Sequence, residues 1–209
     1  LDDKHWFTEV HDVAGSAFSL RYQRKLHEER SAYQTIEVYK TRDWGNLMVI
    51  DGFVMLTTRD NFLYHEMMAH PVLFTHPAPR RIAIIGGGDC GTLREVLKHP
   101  EVEQVAQIDI DETVTRAARI HFPELCESND DPRAELLFID GIQWMKDAAA
   151  GSLDIIIVDS TDPIGPDLLD GLVGEPQITE QLRLLGREDL LGSERGPRPA
   201  HDDRRRPAA

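Results

Sequence analysis

Acidic side chains in this chain recur where apolar runs end, and they are the residues best placed to do chemistry. Ile82-Ala83-Ile84-Ile85 breaks into Gly86-Gly87-Gly88-Asp89, and Val102 to Asp111 (VEQVAQIDID) closes on Asp109 and Asp111. Leu136-Leu137-Phe138-Ile139 is followed by Asp140-Gly141, and Leu153-Asp154-Ile155-Ile156-Ile157-Val158 by Asp159-Ser160-Thr161-Asp162-Pro163-Ile164-Gly165-Pro166. Glycines at such a break admit positive φ and let a backbone approach a ligand closely. A helix beginning behind them offers unpaired N–H groups to oxygen atoms. A carboxylate at Asp89 would repel a pyrophosphate, so the expected ligand is cationic or neutral: a sulfonium nucleoside rather than NAD. Asp109, about twenty residues beyond the glycines, suits hydrogen bonds from ribose hydroxyls, with two solvated acids at a strand end as the alternative. Asp111 reads as the cap of a helix from Thr113 to His121. Asp140 is placed either to face an adenine amino group or simply to make an Asp-Gly turn. Asp159 and Asp162, beside two prolines, form a stiff acidic loop with no His or Cys near it, so no metal is expected there.

The elements that must position these acids follow from the same runs. Strands apolar at consecutive positions are buried on both faces, as in a parallel sheet, and Leu93 to Lys98 reads as a helix returning over it. The fold class is therefore α/β, with a Rossmann-like, S-adenosylmethionine-methyltransferase-type parallel sheet whose carboxyl ends carry the ligand site. Before it, Ser19 to Thr58 holds alternating runs (Thr35 to Tyr39, Asn46 to Ile50) and a hairpin signal at Asp51-Gly52. This predicts a small antiparallel β domain over 1–58 and a nucleoside-binding catalytic domain over 59–166. A helix from about Asp60 to Thr75 marks the boundary, with Pro71 expected to kink or end it and Pro77 and Pro79 forming a linker.

Several linked motifs together resemble the polyamine aminopropyltransferase family, and within it the spermidine synthases. They are Tyr64-His65-Glu66-Met67-Met68, Gly86-Gly87-Gly88-Asp89, Leu93-Arg94-Glu95-Val96, Asp130-Asp131-Pro132-Arg133 and the Asp159 to Pro166 loop, covering about Trp6 to Pro166. The resemblance implies transfer of an aminopropyl group from decarboxylated S-adenosylmethionine to putrescine, giving spermidine and methylthioadenosine. It implies Asp159 as proton acceptor and Asp162 and Asp89 as holders of the cationic ends of amine and donor. Tyr64 and His65 would line the amine channel. Gln34 would touch the donor, Asp109 its ribose, Asp140 and Gly141 its adenine, and Pro166 the wall beside it. The implied co-substrate is the decarboxylated donor with no separate cofactor, and the implied assembly is a homodimer or homotetramer in the cytoplasm. Two other readings stay open: an S-adenosylmethionine-dependent methyltransferase, whose cofactor carboxylate Asp89 would repel, and a truncated homologue without turnover.

Departures from the family pattern are localised. Cys90 stands where the family has glycine, and Asp109 where it has the longer glutamate. From Asp167 to Ala209 there is no Phe, Tyr or Trp, and arginine is the sole strong base. A helix from Pro176 to about Leu185 and a disordered remainder are expected in this tail, with the C-terminal strands of the sheet missing. The net charge of −14 disfavours nucleic acid and fits attraction of polycations. No apolar run approaches a membrane span, so no membrane partner is expected. Cys90 and Cys126, far apart in sequence, make no disulfide framework.

Overall fold

The computed structural model describes residues 5–12 and 14–160. Two sheets follow one another along the chain. The first is antiparallel, five strands in sequence order: β1 (Trp6–His11), β2 (Ser16–Arg30), β3 (Thr35–Thr41), β4 (Asn46–Ile50) and β5 (Phe53–Thr57). Asp51 and Gly52 both take positive φ, 49° and 86°, the twist-matched two-residue turn that joins β4 to β5. The register of β2 against β3 slips between Tyr22 and Arg24 and again between Lys25 and His27. Those irregularities interrupt period-2 alternation, which is why the amino-terminal half of this sheet is faint in the sequence.

The second sheet is parallel: β6 (Arg81–Gly86), β7 (Gln104–Asp109), β8 (Ala134–Phe138) and β9 (Ile155–Asp159), in the order β8-β7-β6-β9. The chain builds outward from β6 to β8 and then returns to β6's other side. The order therefore reverses between β6 and β9, and a crevice opens at their carboxyl ends, where such sheets hold ligands. Gly86 and Asp159 are register partners across that crevice.

Side chains alternate across the parallel sheet. Ile82, Ile84, Ile155 and Ile157 pack on one face against Ala69 and Leu73 of α1 (Asn61–Thr75) and Leu93, Val96 and Leu97 of α2 (Gly91–Leu97). Ala83, Ile85, Ala106 and Ile108 face the other way, onto Met145 of α4 (Gly141–Asp147). A third cluster joins the two sheets: Ile36, Val38, Met48 and Ile50 meet Val114, Ala117 and Ala118 of α3 (Glu112–His121) together with Phe122. Truncating a buried Ile or Met of this cluster to alanine typically costs about 2–5 kcal/mol, so the antiparallel sheet and the crevice are fixed to one another through α3.

The proline expectation for α1 is corrected in one respect: the helix runs through Pro71 to Thr75. A proline removes one N–H donor from the ladder, but Ala69 and Leu73, buried on either side of it, hold both halves on the sheet. Among the described residues β9 pairs with β6 alone, and Val158 is 45% exposed. The expected tail, with its helix over Pro176 to Leu185, lies outside the described residues, as do Asp162 and Pro166. No helix among the described residues is long and apolar enough to cross a membrane.

Candidate active site

The site begins with the turn from β6 into α2. Gly86 and Gly87 take φ of 86° and 71°, a conformation that L side chains rarely adopt. A Cβ on Gly86 would stand 2.1 Å from the carbonyl oxygen of Asp159, and one on Gly87 would stand 3.0 Å from its Oδ2. The Gly87 N–H donates to that same carbonyl at 2.7 Å. Bare backbone is thus what allows the end of β9 to lie against the turn and hold its carboxylate in the crevice.

Asp159 is 9% exposed and engaged on both oxygens. Tyr64, from the first turn of α1, donates its hydroxyl to Oδ1 at 2.6 Å, and Thr92, from the first turn of α2, donates to Oδ2 at 2.6 Å. Burial first, and then the neighbouring Asp89 charge, push the Asp159 carboxyl above the usual range, with the two hydroxyls and His65 partly opposing. A carboxylate held this way is a stronger base than an exposed one, poised beside a cleft. Thr92 carried no signal in the sequence, since a threonine in the first turn of a helix is ordinary; its role needs a partner sixty-seven positions away.

Asp89 accepts the Gly91 N–H at 2.7 Å through Oδ1, which fixes the start of α2. His65 Nε2 lies 3.1 Å from that same oxygen, at ion-pair distance but without hydrogen-bond alignment. The His65 ring is wholly buried, pressed on Gly91, where a Cβ would meet Cε1 at 2.2 Å. Burial alone would lower the imidazole's pKa, but the Asp89 carboxylate, followed by Asp159, raises it above the ordinary histidine value. The fold therefore brings His65 to the site beneath Asp89 rather than at an open surface.

The ribose and adenine candidates lie along the neighbouring strand ends. Asp109 ends β7 and accepts the backbone N–H of Asp111 at 2.8 Å, and that of Gly88. Burial raises its carboxyl, with those amides partly opposing. Asp111 caps α3 through Thr113 N at 3.0 Å. It also receives Ser31 Oγ at 2.6 Å and Gln34 Nε2 at 3.0 Å. Burial would raise it, yet these donors hold it below the usual range. Gln34 thus reaches the crevice rim by bonding to the cap of α3. Asp140 caps α4, accepting from Ile142 N at 2.8 Å and Gln143 N at 3.2 Å. A Cβ on Gly141 would stand 2.9 Å from Ile85 Cγ2. Two exposed aliphatics flank these acids, Ile110 (44%) and Ile139 (46%). Nothing in the sequence singles them out, because an isoleucine at a strand end is ordinarily core.

Not every motif is chemical. Arg133 ties Asp131 at 2.8 Å, donates to the Leu97 carbonyl at 2.8 Å and to those of His99 and Val102 at 3.3 Å. It thereby closes the last turn of α2, and its guanidinium pulls the Asp131 carboxyl down to about 2. Glu95, fully buried, is held by Arg94 at 2.9 Å and Lys98 at 2.5 Å. Among the described residues, Glu66, His70 and Glu95 bring potential metal-ligand atoms within 4.8 Å of one another. The Arg94 and Lys98 charges already on Glu95 disfavour a cation there. A cavity of about 280 Å³ lined by Arg81, Gln104, Glu135 and Trp144 opens at the amino ends of the strands, at the opposite end of the sheet from Asp89 and Asp159.

The fold matches that of known proteins. Residues 61–169 match the model of the spermine/spermidine synthase domain, and residues 5–58 that of the spermidine synthase tetramerisation domain. The chain is 64% identical over 189 residues to the polyamine aminopropyltransferase of Alkalilimnicola ehrlichii, covering 90% of this chain and 65% of that protein. The corresponding protein of Thioalkalivibrio sulfidiphilus is 61% identical over 189 residues, with the same coverage. The chain thus spans about 65% of the length of these curated relatives. A spermidine synthase solved in complex with the transition-state analogue AdoDATO superposes with a TM-score of 0.74 at 37% identity, over 78% of this chain and 55% of that one. The spermidine synthase of Thermotoga maritima gives 0.73 at 30% identity, over 88% and 70%. With both halves of the described fold matched in order, the chain belongs to the spermine/spermidine synthase family.

Proposed function

We propose that the chain transfers an aminopropyl group from decarboxylated S-adenosylmethionine to putrescine, yielding spermidine and methylthioadenosine. The observation that carries this reading is Asp159: a carboxylate at the switch point of the sheet, held by Tyr64 and Thr92 and raised by burial beside Asp89. Alkylamines have pKa values near that of lysine, about 10.4, so putrescine arrives as a diammonium. Attack needs a free lone pair, and Asp159 accepts the proton that releases it. The amine nitrogen then bonds the carbon next to the sulfonium while the carbon–sulfur bond breaks. The electron pair neutralises the sulfur, and methylthioadenosine leaves. The secondary amine formed keeps its protons, and the single released proton passes from Asp159 to solvent.

In this reading Asp89 and Asp162 hold the ammonium groups of donor and amine, and His65 acts by orienting Asp89. Asp109 serves the ribose. Asp140, Gly141, Gln34 and Pro166 complete the donor site, and Gly86 to Gly88 supply its backbone floor. Tyr64 serves the amine side and fixes the base. The proposed division is an antiparallel unit over 1–58 and a catalytic unit over 59–166. The match of 5–58 to a tetramerisation domain supports a homodimer or homotetramer, and the proposed setting is the cytoplasm. Decarboxylated donor labelled in its aminopropyl chain, incubated with putrescine and the purified chain, is expected to give labelled spermidine. Methyl transfer from S-adenosylmethionine, or no transfer with correctly folded protein, would overturn the proposal.

A further inference from the structure

The fold brings the chain's two cysteines together, thirty-six positions apart in sequence, just behind the acidic turn. Cys90 is fully buried and sits at the start of α2 in the left-handed region, φ 71°. Cys126 is half-buried and follows the short 3₁₀ turn Pro123–Leu125. Both are free thiols, and the two side chains are neighbours that interact with one another. Cys126 Sγ also lies 3.8 Å from the carbonyl oxygen of Asp89.

The surroundings of the two sulfurs differ. Two amide donors converge on Cys90 Sγ, Gln107 Nε2 at 3.5 Å and Asn129 Nδ2 at 3.3 Å, while its own thiol faces the Gly88 carbonyl at 3.6 Å. Gln107 and Asn129 are themselves buried, and their amide oxygens have no partner, so their bonding inward goes to this sulfur. The Cys126 contact above all, then the two amides, hold the Cys90 thiol below its usual range against the opposing effect of burial. The same contact pushes Cys126 up. The amide donors aimed at Cys90 alone prepare that sulfur as the nucleophile and leave Cys126 as its resolving partner, a division of labour found in redox-active thiol pairs. A pair kept as inert core filler has no use for amide donors aimed at one of its members.

We propose that Cys90 and Cys126 are an oxidisable dithiol that a hydroperoxide closes into an intramolecular disulfide, displacing the Asp89 turn. The Cys90 thiolate attacks one peroxide oxygen: a sulfur–oxygen bond forms, the oxygen–oxygen bond breaks, and hydroxide leaves as water after taking a proton. Cys126 sulfur then attacks the Cys90 sulfenic acid. A sulfur–sulfur bond forms, the sulfur–oxygen bond breaks, and a second water departs with the Cys126 proton. Two thiols are oxidised by two electrons in all, and the peroxide is reduced to two waters. Hydrogen peroxide is little larger than water, and partly buried Cys126 marks its route to Cys90. Closing the bond brings the two sulfurs to about 2 Å. Cys90 follows Asp89 directly and precedes Gly91, whose N–H the Asp89 carboxylate holds, so the movement passes into the acidic turn.

The test does not use turnover, so it stands apart from the donor-site reading. The reduced full chain is exposed to hydrogen peroxide, alkylated, and weighed intact and after proteolysis. The expected result is loss of two hydrogens, protection of both thiols from alkylation, a Cys90–Cys126 linked peptide, and reversal by dithiothreitol. Cys126→Ser should abolish the linkage. Hydrogen exchange should change at the Asp89 to Gly91 amides on oxidation of the unsubstituted chain. Two alkylatable thiols after peroxide sufficient to oxidise glutathione, or linkage between chains instead of within one, overturns the dithiol. Unchanged exchange at Asp89 to Gly91 in the oxidised chain overturns its coupling to the turn.

Discussion

Gly91→Ala tests the packing of the site most sharply, because the default expectation has the opposite sign. In an exposed helix the exchange of glycine for alanine stabilises by about 1 kcal/mol. Gly91 opens α2 without a positive φ, so backbone strain does not argue against alanine there. The obstacle is the His65 ring. A Cβ at 91 would lie 2.2 Å from Cε1, 2.3 Å from Nδ1 and 2.4 Å from Nε2, whereas carbon contacts settle at roughly 3.5–4.0 Å. The ring must recede by more than about 1 Å, and at 0% exposure it has nowhere to go without moving α1. Overpacking of this kind costs about 1–3 kcal/mol, and with three ring atoms in conflict we place Gly91→Ala at the upper end, net destabilising by about 2 kcal/mol. For a chain of this size that lowers Tm by roughly 4–8 °C.

Urea and thermal unfolding of wild type, Gly91→Ala, His65→Ala and the double variant complete a cycle. With the ring removed, alanine at 91 should no longer be penalised and its helix preference should return. The coupling energy is thus expected to be at least about 2 kcal/mol. If Gly91→Ala alone is as stable as wild type, or more stable, the placement of His65 under the Asp89 turn is wrong.

Three further outcomes are expected. Asp159→Asn should lower turnover about 100- to 10,000-fold while Tm holds or rises. The raised carboxyl means that the folded state prefers the protonated form, so the ionised group opposes folding at neutral pH; near-normal turnover, or a marked loss of stability, would sink the assignment. Asp89→Asn should narrow the preference for decarboxylated donor over S-adenosylmethionine, measured by calorimetry, since a like-charge contact in a partly buried site costs on the order of several kcal/mol; an unchanged ratio of affinities counts against the charge argument. Thr92→Val removes the donor to Asp159 Oδ2. The carboxyl rises further, the protonated inactive form persists to higher pH, and the acid limb of the kcat profile moves upward; a limb that stays put or moves down contradicts the base assignment.

What the sequence discloses and what it withholds divide along the range of the forces involved. The four parallel strands lie within a few residues of their expected places because burial on both faces demands consecutive apolar residues. The β4–β5 turn was legible because few pairs besides Asp-Gly take positive φ twice in succession. The carboxylates were visible for a related reason: a strand ending in an acid, rather than another aliphatic, stands out against its own run. Contacts set by packing at a distance have no such trace. Nothing around Thr92 announces Asp159, nothing around Ser31 announces Asp111, and Cys90 and Cys126 look unrelated until α2 and the turn before residue 126 are in place. The clearest case is His65. In sequence it sits beside Tyr64 in a motif that reads as channel lining, and both belong to the first turns of α1. A single residue step on a helix turns the side chain by a little over a quarter of a circle. That rotation sends Tyr64 to the open crevice at 47% exposure and His65 to the fully buried interface with α2. Adjacent motif residues thus do different work: Tyr64 bonds the carboxylate proposed as the base, while His65 supports Asp89 from below. Their functions separate only once the face of α1 that meets Gly91 is known.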